Sequence, residues 1–101
     1  MSRRHNEGVP TLYEVACLAV TSQAGGEFVD VPTIRLRLSR NGIETNESTI
    51  HVIMERFCQR DLMFRTEQNR TQRGEPFVFY TLTESGRAEL AKWTKQLRGL
   101  L

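Results

Sequence analysis

Apolar residues recur at helical spacing between residues 50 and 58, and this pattern predicts an amphipathic helix. The positions i, i+3, i+4, i+7 and i+8 are occupied by Ile50, Ile53, Met54, Phe57 and Cys58. Such spacing places the apolar side chains on one face, while the opposite face stays polar. Either Thr45 or Asn46 can cap its amino terminus. Only about three residues separate this helix from the preceding predicted helix, a connection typical of a helix-turn-helix.

The preceding segment fits two structures. An alternation of apolar and basic residues, typical of a strand, is carried by Ile34, Leu36 and Leu38. Its ends favour a helix over residues 32–41, because Asp30 can cap it, Pro32 suits a first turn and Asn41-Gly42 is a stop signal.

The remaining elements follow from caps and turn residues. Thr11 and Glu14 form a capping-box pattern that predicts a helix over residues 11–24, ended by Gly25-Gly26. Residues 28–31 are β-prone and predict a short edge strand. Two further β-prone runs, 62–67 and 77–82, predict a hairpin with a long polar tip. Thr83 then caps a last helix that extends to the end of the sequence.

Length and composition predict one α+β domain, mainly α. A chain of 101 residues with 39% hydrophobic and 26% charged residues supports a single core. We expect the domain to span residues 1–101, with residues 1–10 as a flexible basic arm carrying Arg3 and Arg4. No run approaches the roughly 20 apolar residues of a membrane span, and the first residues lack a signal-peptide pattern, so we expect a cytoplasmic protein without a membrane partner.

The sequence offers no catalytic pattern. Its two histidines lie far apart, and there is no glycine-rich phosphate loop, acidic cluster or metal-ligand spacing. We therefore expect no enzyme, metal or cofactor. Cys17 and Cys58 lie within apolar helical patterns and are interpreted as core residues, with a redox-sensing pair as the alternative.

Two stretches resemble the PadR-like family of winged-helix transcriptional regulators. Residues 48–57, followed by Asp61-Leu62, resemble that family's third helix and its turn, with His51 where a tyrosine is common and Asp61 in place of a glycine. Residues 79–87 are similar to its second wing strand, including the motif Leu-Thr-x-x-Gly at residues 82–86. MarR-like regulators, the second choice, also use this motif. The resemblance implies a winged helix-turn-helix with a two-stranded wing and a carboxy-terminal dimerisation helix.

The resemblance also implies a site on double-stranded DNA. In a winged helix the third helix enters the major groove, where side chains in its first turns read base edges. The predicted base-contacting residues are Asn46, Ser48, Thr49, His51 and Val52. For Asn46 and Ser48, helix capping alone is the alternative.

Arginines predict the contacts to phosphate. They account for 12 of the 14 basic residues, the other two being lysines. We predict that seven arginines contact the DNA backbone or, from the wing, the minor groove. They are Arg35, Arg37, Arg40, Arg56, Arg60, Arg70 and Arg73.

Specific DNA binding by so small a domain predicts a homodimer. We expect this homodimer to act as a repressor. The predicted dimer interface consists of Leu12, Tyr13, Leu90, Trp93, Leu97, Leu100 and Leu101. A small-molecule effector could occupy a pocket between the first and last helices, lined by Trp93 and Tyr13. The alternative function is a winged-helix protein-interaction module that binds no DNA, which Glu47 and Glu55 near the third helix support.

Overall fold

The computed structural model describes residues 10–69 and 76–100, with side chains for 10–68 and 77–100. Its elements in chain order are α1 (Leu12–Ser22), β1 (Val29–Asp30), α2 (Val31–Arg40), α3 (Glu47–Gln59), β2 (Met63–Asn69), β3 (Pro76–Leu82) and α4 (Glu84–Leu100). The strands form an antiparallel sheet in the order β1-β3-β2. The predicted α+β fold, mainly helical with a wing formed by β2 and β3, is confirmed.

The first helix begins where the capping box predicts. The backbone N–H of Thr11 donates to the Glu14 carboxylate at 2.7 Å, and the N–H of Glu14 donates to Thr11 Oγ1 at 3.2 Å. The helix ends at Ser22, two residues before the predicted position 24. Gly25 and Gly26 follow with φ angles of +65° and +97°, which glycine adopts at little cost.

The segment with alternating apolar residues is a helix, so the strand interpretation is wrong. Asp30 caps α2, since its carboxylate accepts from the backbone N–H of Thr33 at 3.0 Å. Ile34 and Leu38 are buried one turn apart, whereas Leu36 between them is 47% exposed. Helical geometry puts residues i and i+4 on one face and residue i+2 on the other.

The third helix is capped by Asn46 and not by Thr45, because the Asn46 side-chain oxygen accepts from the backbone N–H of Thr49 at 2.8 Å. It ends in a Schellman turn. The N–H of Leu62 donates to the Phe57 carbonyl at 2.8 Å, and the N–H of Asp61 donates to the Cys58 carbonyl at 3.0 Å. Asp61 has a φ of +61°, the left-handed conformation that favours glycine.

Replacing Asp61 with glycine should stabilise the protein. Glycine adopts the left-handed conformation without a Cβ penalty, so we expect the free energy of unfolding to rise by about 0.5 to 1 kcal/mol. Urea denaturation followed by circular dichroism measures the change. Asp61→Ala keeps a Cβ at the same φ and serves as the control, which should be no more stable than the parent. An alanine variant as stable as the glycine variant would contradict this explanation.

The core lies between the helices and the inner face of the sheet. Residues less than 2% exposed include Leu18, Ile34, Ile50, Met54 and Tyr80. These come from α1, α2, α3 and β3, so one core holds α3 against the sheet.

The predicted cap of α4 is also present. The Thr83 hydroxyl accepts from the backbone N–H of Gly86 at 2.9 Å and donates to the Asp61 carbonyl at 2.8 Å. The N–H of Thr83 donates to the Leu62 carbonyl at 3.0 Å. Thr83 therefore joins the start of α4 to the turn that follows α3.

The cysteines fit the core interpretation. Burial raises the pKa of the Cys17 thiol to about 12, with a further contribution from Glu14. Burial also raises the pKa of the partly buried Cys58. Both thiols stay protonated at neutral pH, which disfavours the redox-sensing alternative. Within residues 10–69 and 76–100, no helix has the length and apolar character needed to cross a membrane.

Candidate nucleic-acid interface

The first two turns of α3 carry a face that points away from the core. Ile50 and Met54 are fully buried, whereas Val52 is 50% exposed. Ser48, Thr49 and His51 are also exposed. Asn46 is exposed too, but its side-chain oxygen is used in the cap, so only its NH₂ group is available to a base. The structure thus brings the five predicted base-contacting residues together at one end of α3.

The predicted phosphate-contacting arginines fall into three groups. Arg37, Arg40 and Arg56 form no ion pair with a described residue. Arg35 is 3.5 Å from the carboxylate of Glu47, and Arg60 is 3.8 Å from that of Glu89 on α4. Arg70 and Arg73 of the predicted wing lie outside the described residues. So do Arg3 and Arg4 of the predicted amino-terminal arm and Leu101 of the predicted dimer interface.

The glutamates of α3 are paired with arginines. Glu47 faces Arg35, and one carboxylate oxygen of Glu55 accepts from Arg65 Nε at 2.9 Å and from the Tyr80 hydroxyl at 2.6 Å. Burial, followed by the hydrogen bond to Glu55, raises the pKa of Tyr80. Tyr80 therefore stays a neutral donor.

Sequence reasoning missed Arg65 and Tyr80. The sequence indicates only that both residues lie in β-prone runs. It does not predict that they lie near Glu55, because that proximity depends on the strand register that pairs Arg65 with Tyr80. A hairpin with a long connecting segment does not fix that register from sequence.

The predicted dimer residues divide by exposure. Leu12, Tyr13, Leu97 and Leu100 are exposed, at 69%, 45%, 43% and 81%. Leu90 is partly buried against the core. Trp93 is half-buried, its indole N–H donates to Glu89 at 2.6 Å, and Lys92 Nζ lies 4.9 Å from its ring centroid. The exposed apolar side chains among the predicted dimer residues are therefore Leu12, Tyr13, Leu97 and Leu100.

A groove of about 500 Å³ lies between the carboxy-terminal end of α1 and α4. Its lining residues are Ser22, Arg87, Leu90, Ala91, Thr94, Lys95 and Arg98. It occupies the predicted position of an effector pocket, but neither Tyr13 nor Trp93 lines it. Among the described residues, no three His, Cys, Asp or Glu side chains are grouped so that they could hold a metal ion.

The fold is similar to that of several solved structures. No family model matches the sequence, and no curated protein matches it. Solved structures do match. A PadR-like transcription factor from Bacteroides fragilis has a TM-score of 0.76 at 19% identity, covering 88% of this chain and 82% of that one. A PadR family transcriptional regulator from Eggerthella lenta has a TM-score of 0.73 at 22% identity, covering 87% of this chain and 76% of that one.

A third similar structure is Bacillus subtilis PadR in complex with operator DNA. It has a TM-score of 0.71 at 16% identity, and the match covers 82% of this chain but 46% of that one. This chain therefore matches just under half of the DNA-bound protein. The similarity to all three structures extends over most of the chain, which has the winged-helix fold of PadR-like transcription regulators.

Proposed function

We propose that this protein is a sequence-specific regulator of transcription that binds double-stranded DNA as a homodimer and acts as a repressor, by binding and not by catalysis. The observation that supports this proposal is the exposed first half of α3, where Ser48, Thr49, His51 and Val52 are exposed while Ile50, Ile53 and Met54 are buried. A protein of the same fold is described in complex with operator DNA.

In the proposed mechanism, different residues recognise the bases and bind the phosphates. His51 and the Asn46 amide group can hydrogen-bond a purine edge in the major groove, while Val52 can contact a thymine methyl group. Arg37, Arg40 and Arg56 anchor the protein on phosphates, which fixes its register. Arg35 and Arg60 lie beside Glu47 and Glu89, whose negative charges offset theirs, so we propose them as weaker phosphate contacts. From the wing, Arg70 and Arg73 are proposed to reach the minor groove.

The alternative function is a protein-interaction module. Two acidic side chains near the exposed face of α3, those of Glu47 and Glu55, are the feature that supports it. Both carboxylates lie within ion-pair distance of an arginine, since Glu47 contacts Arg35 and Glu55 contacts Arg65. Neither is an unpaired charge aimed at a protein partner, so the structure favours DNA.

Titration of a random-sequence duplex at increasing salt tests the proposal. With Arg37, Arg40 and Arg56 of both protomers on phosphates, a plot of log K against log salt should fall with a slope of about −5. A variant with all three arginines replaced by glutamine should show a much flatter slope while keeping its circular dichroism spectrum. If the parent protein binds no duplex at low salt, the interaction module becomes the better interpretation.

We also propose that α1 and α4 form the dimer interface. Replacing Leu12 of α1 and Leu97 of α4 with glutamate exchanges two exposed apolar side chains for charges, so a dimer formed through these helices should dissociate. Sedimentation velocity measures the change, and Gln96→Glu, at an exposed position of α4, is the matched control. A parent protein that sediments as a monomer at high concentration would contradict the proposal.

We propose the groove between the carboxy-terminal end of α1 and α4 as the site for a small-molecule effector.

A further inference from the structure

Glu55 connects the third helix to the wing through two hydrogen bonds. One of its carboxylate oxygens accepts from the Tyr80 hydroxyl at 2.6 Å and from Arg65 Nε at 2.9 Å. Tyr80 lies on β3 and Arg65 on β2, directly opposite each other in the register of the sheet. A single oxygen on α3 therefore contacts both strands of the hairpin at one level.

The bond to Tyr80 is the stronger of the two. The residue is 0% exposed, so its ring has a fixed position in the core. A hydroxyl that donates to a carboxylate at this short distance forms a charge-assisted hydrogen bond. The Arg65 side chain is 38% exposed, and it is also held by Glu67 at 2.6 Å. Water screens this second interaction more than the first.

The contact lies part of the way along the hairpin, where it can limit the tilt of the strands relative to α3. The hairpin joins α3 at Leu62, and Arg65 lies about 10 Å further along the strand. Strand β2 has seven residues, a length of roughly 23 Å. A tilt of about 10° about the end at α3 would move the far end of such a strand by roughly 4 Å, which is more than the range of a hydrogen bond.

We propose that Glu55 is a positioning residue that fixes the inclination of the β2–β3 hairpin relative to α3, and that it acts through Tyr80 and Arg65. This inference rests on the proposed function, because the inclination sets where the wing meets DNA once α3 lies in the major groove. Its carboxylate is committed within the protein and does not read a base.

The experiment compares the parent protein with the double variant Glu55→Ala, Tyr80→Phe. Removing the hydroxyl together with the carboxylate leaves no buried donor without a partner, so the core is preserved. Residual dipolar couplings of backbone amides measure the orientation of β2 and β3 relative to α1, α2 and α3 without any DNA. In the parent, one alignment tensor should fit all five elements. In the variant, the hairpin should no longer fit the tensor of the helices.

Glu47→Ala is the matched control, because it removes a carboxylate from the same helix but one that pairs with Arg35 of α2. Its couplings should match those of the parent. Glu55→Gln keeps an oxygen that accepts from Tyr80 and should restore the parent orientation. Amide exchange near Arg65 and Tyr80 should be roughly tenfold faster in the double variant only, as the loss of one charge-assisted hydrogen bond predicts.

Binding to a random duplex gives the functional comparison. Glu55→Ala, Tyr80→Phe removes one negative charge, so bulk electrostatics alone would strengthen its binding relative to the parent. We expect it instead to bind roughly fivefold more weakly than the parent at equal salt. Glu47→Ala also releases Arg35, a proposed phosphate contact, and should bind more tightly than the parent. Unchanged hairpin couplings in the Glu55 variant would overturn the inference. Absence of DNA binding by the parent would contradict the proposed function, and the couplings would still decide whether Glu55 positions the hairpin.

Discussion

Replacing Gly86 with alanine is expected to lower the free energy of unfolding by about 3 kcal/mol. A Cβ at Gly86 would overlap the carbonyl oxygen of Leu62. That carbonyl also accepts from the N–H of Thr83, and a backbone atom cannot rotate away as a flexible side chain can. The start of α4 must therefore move. Thermal denaturation should show a midpoint lower by roughly 15 °C.

Gly99 provides the matched control in the same helix. A Cβ at that position meets no atom within 4 Å. Gly99→Ala should therefore leave the free energy of unfolding unchanged or raise it by up to about 0.5 kcal/mol, because alanine loses less backbone entropy in a helix than glycine does. Equal midpoints for the two variants would show that the contact at Gly86 does not limit stability.

Replacing Val52 with glutamate is expected to weaken DNA binding by roughly 100-fold, or about 2.8 kcal/mol. Val52 is half exposed on the outward face of α3, where the proposal places a base pair. A carboxylate there would lose its hydration on binding and would lie close to phosphates. Fluorescence anisotropy with a labelled duplex at fixed salt measures the loss.

Gln59→Glu is the control for this variant. It adds the same charge to the exposed last residue of α3, seven residues and about 10 Å from Val52. We expect its affinity to stay within about threefold of the parent value, because a rim charge affects binding weakly. Equal losses for the two variants would mean that general charge, and not the position of Val52, governs the affinity.

Local chemistry predicted the helix boundaries well, because caps act over three or four residues. Thr11 with Glu14, Asp30 and Thr83 all form the expected hydrogen bonds. The turn after α3 shows how local signals compete. Asp61 occupies the left-handed position that the resemblance assigns to glycine, and the Schellman hydrogen bonds form around it all the same.

The long-range contacts of the candidate site could not be predicted in the same way. Glu55 meets Arg65 and Tyr80 only because the strand register and the packing of α3 bring them together. Arg60 likewise lies near Glu89 on another helix, where residue spacing gives no warning. Sequence patterns therefore identified the exposed face of α3 but not which arginines are already engaged.

Asp30 links two parts of the fold that are usually described separately. Its backbone pairs with Phe79 in the sheet, while its carboxylate caps α2. The helix-turn-helix is therefore anchored to the central strand before any ligand arrives. Association should then proceed without coupled folding of residues 29–33, and the heat-capacity change measured by calorimetry should correspond to the area buried at the contact alone.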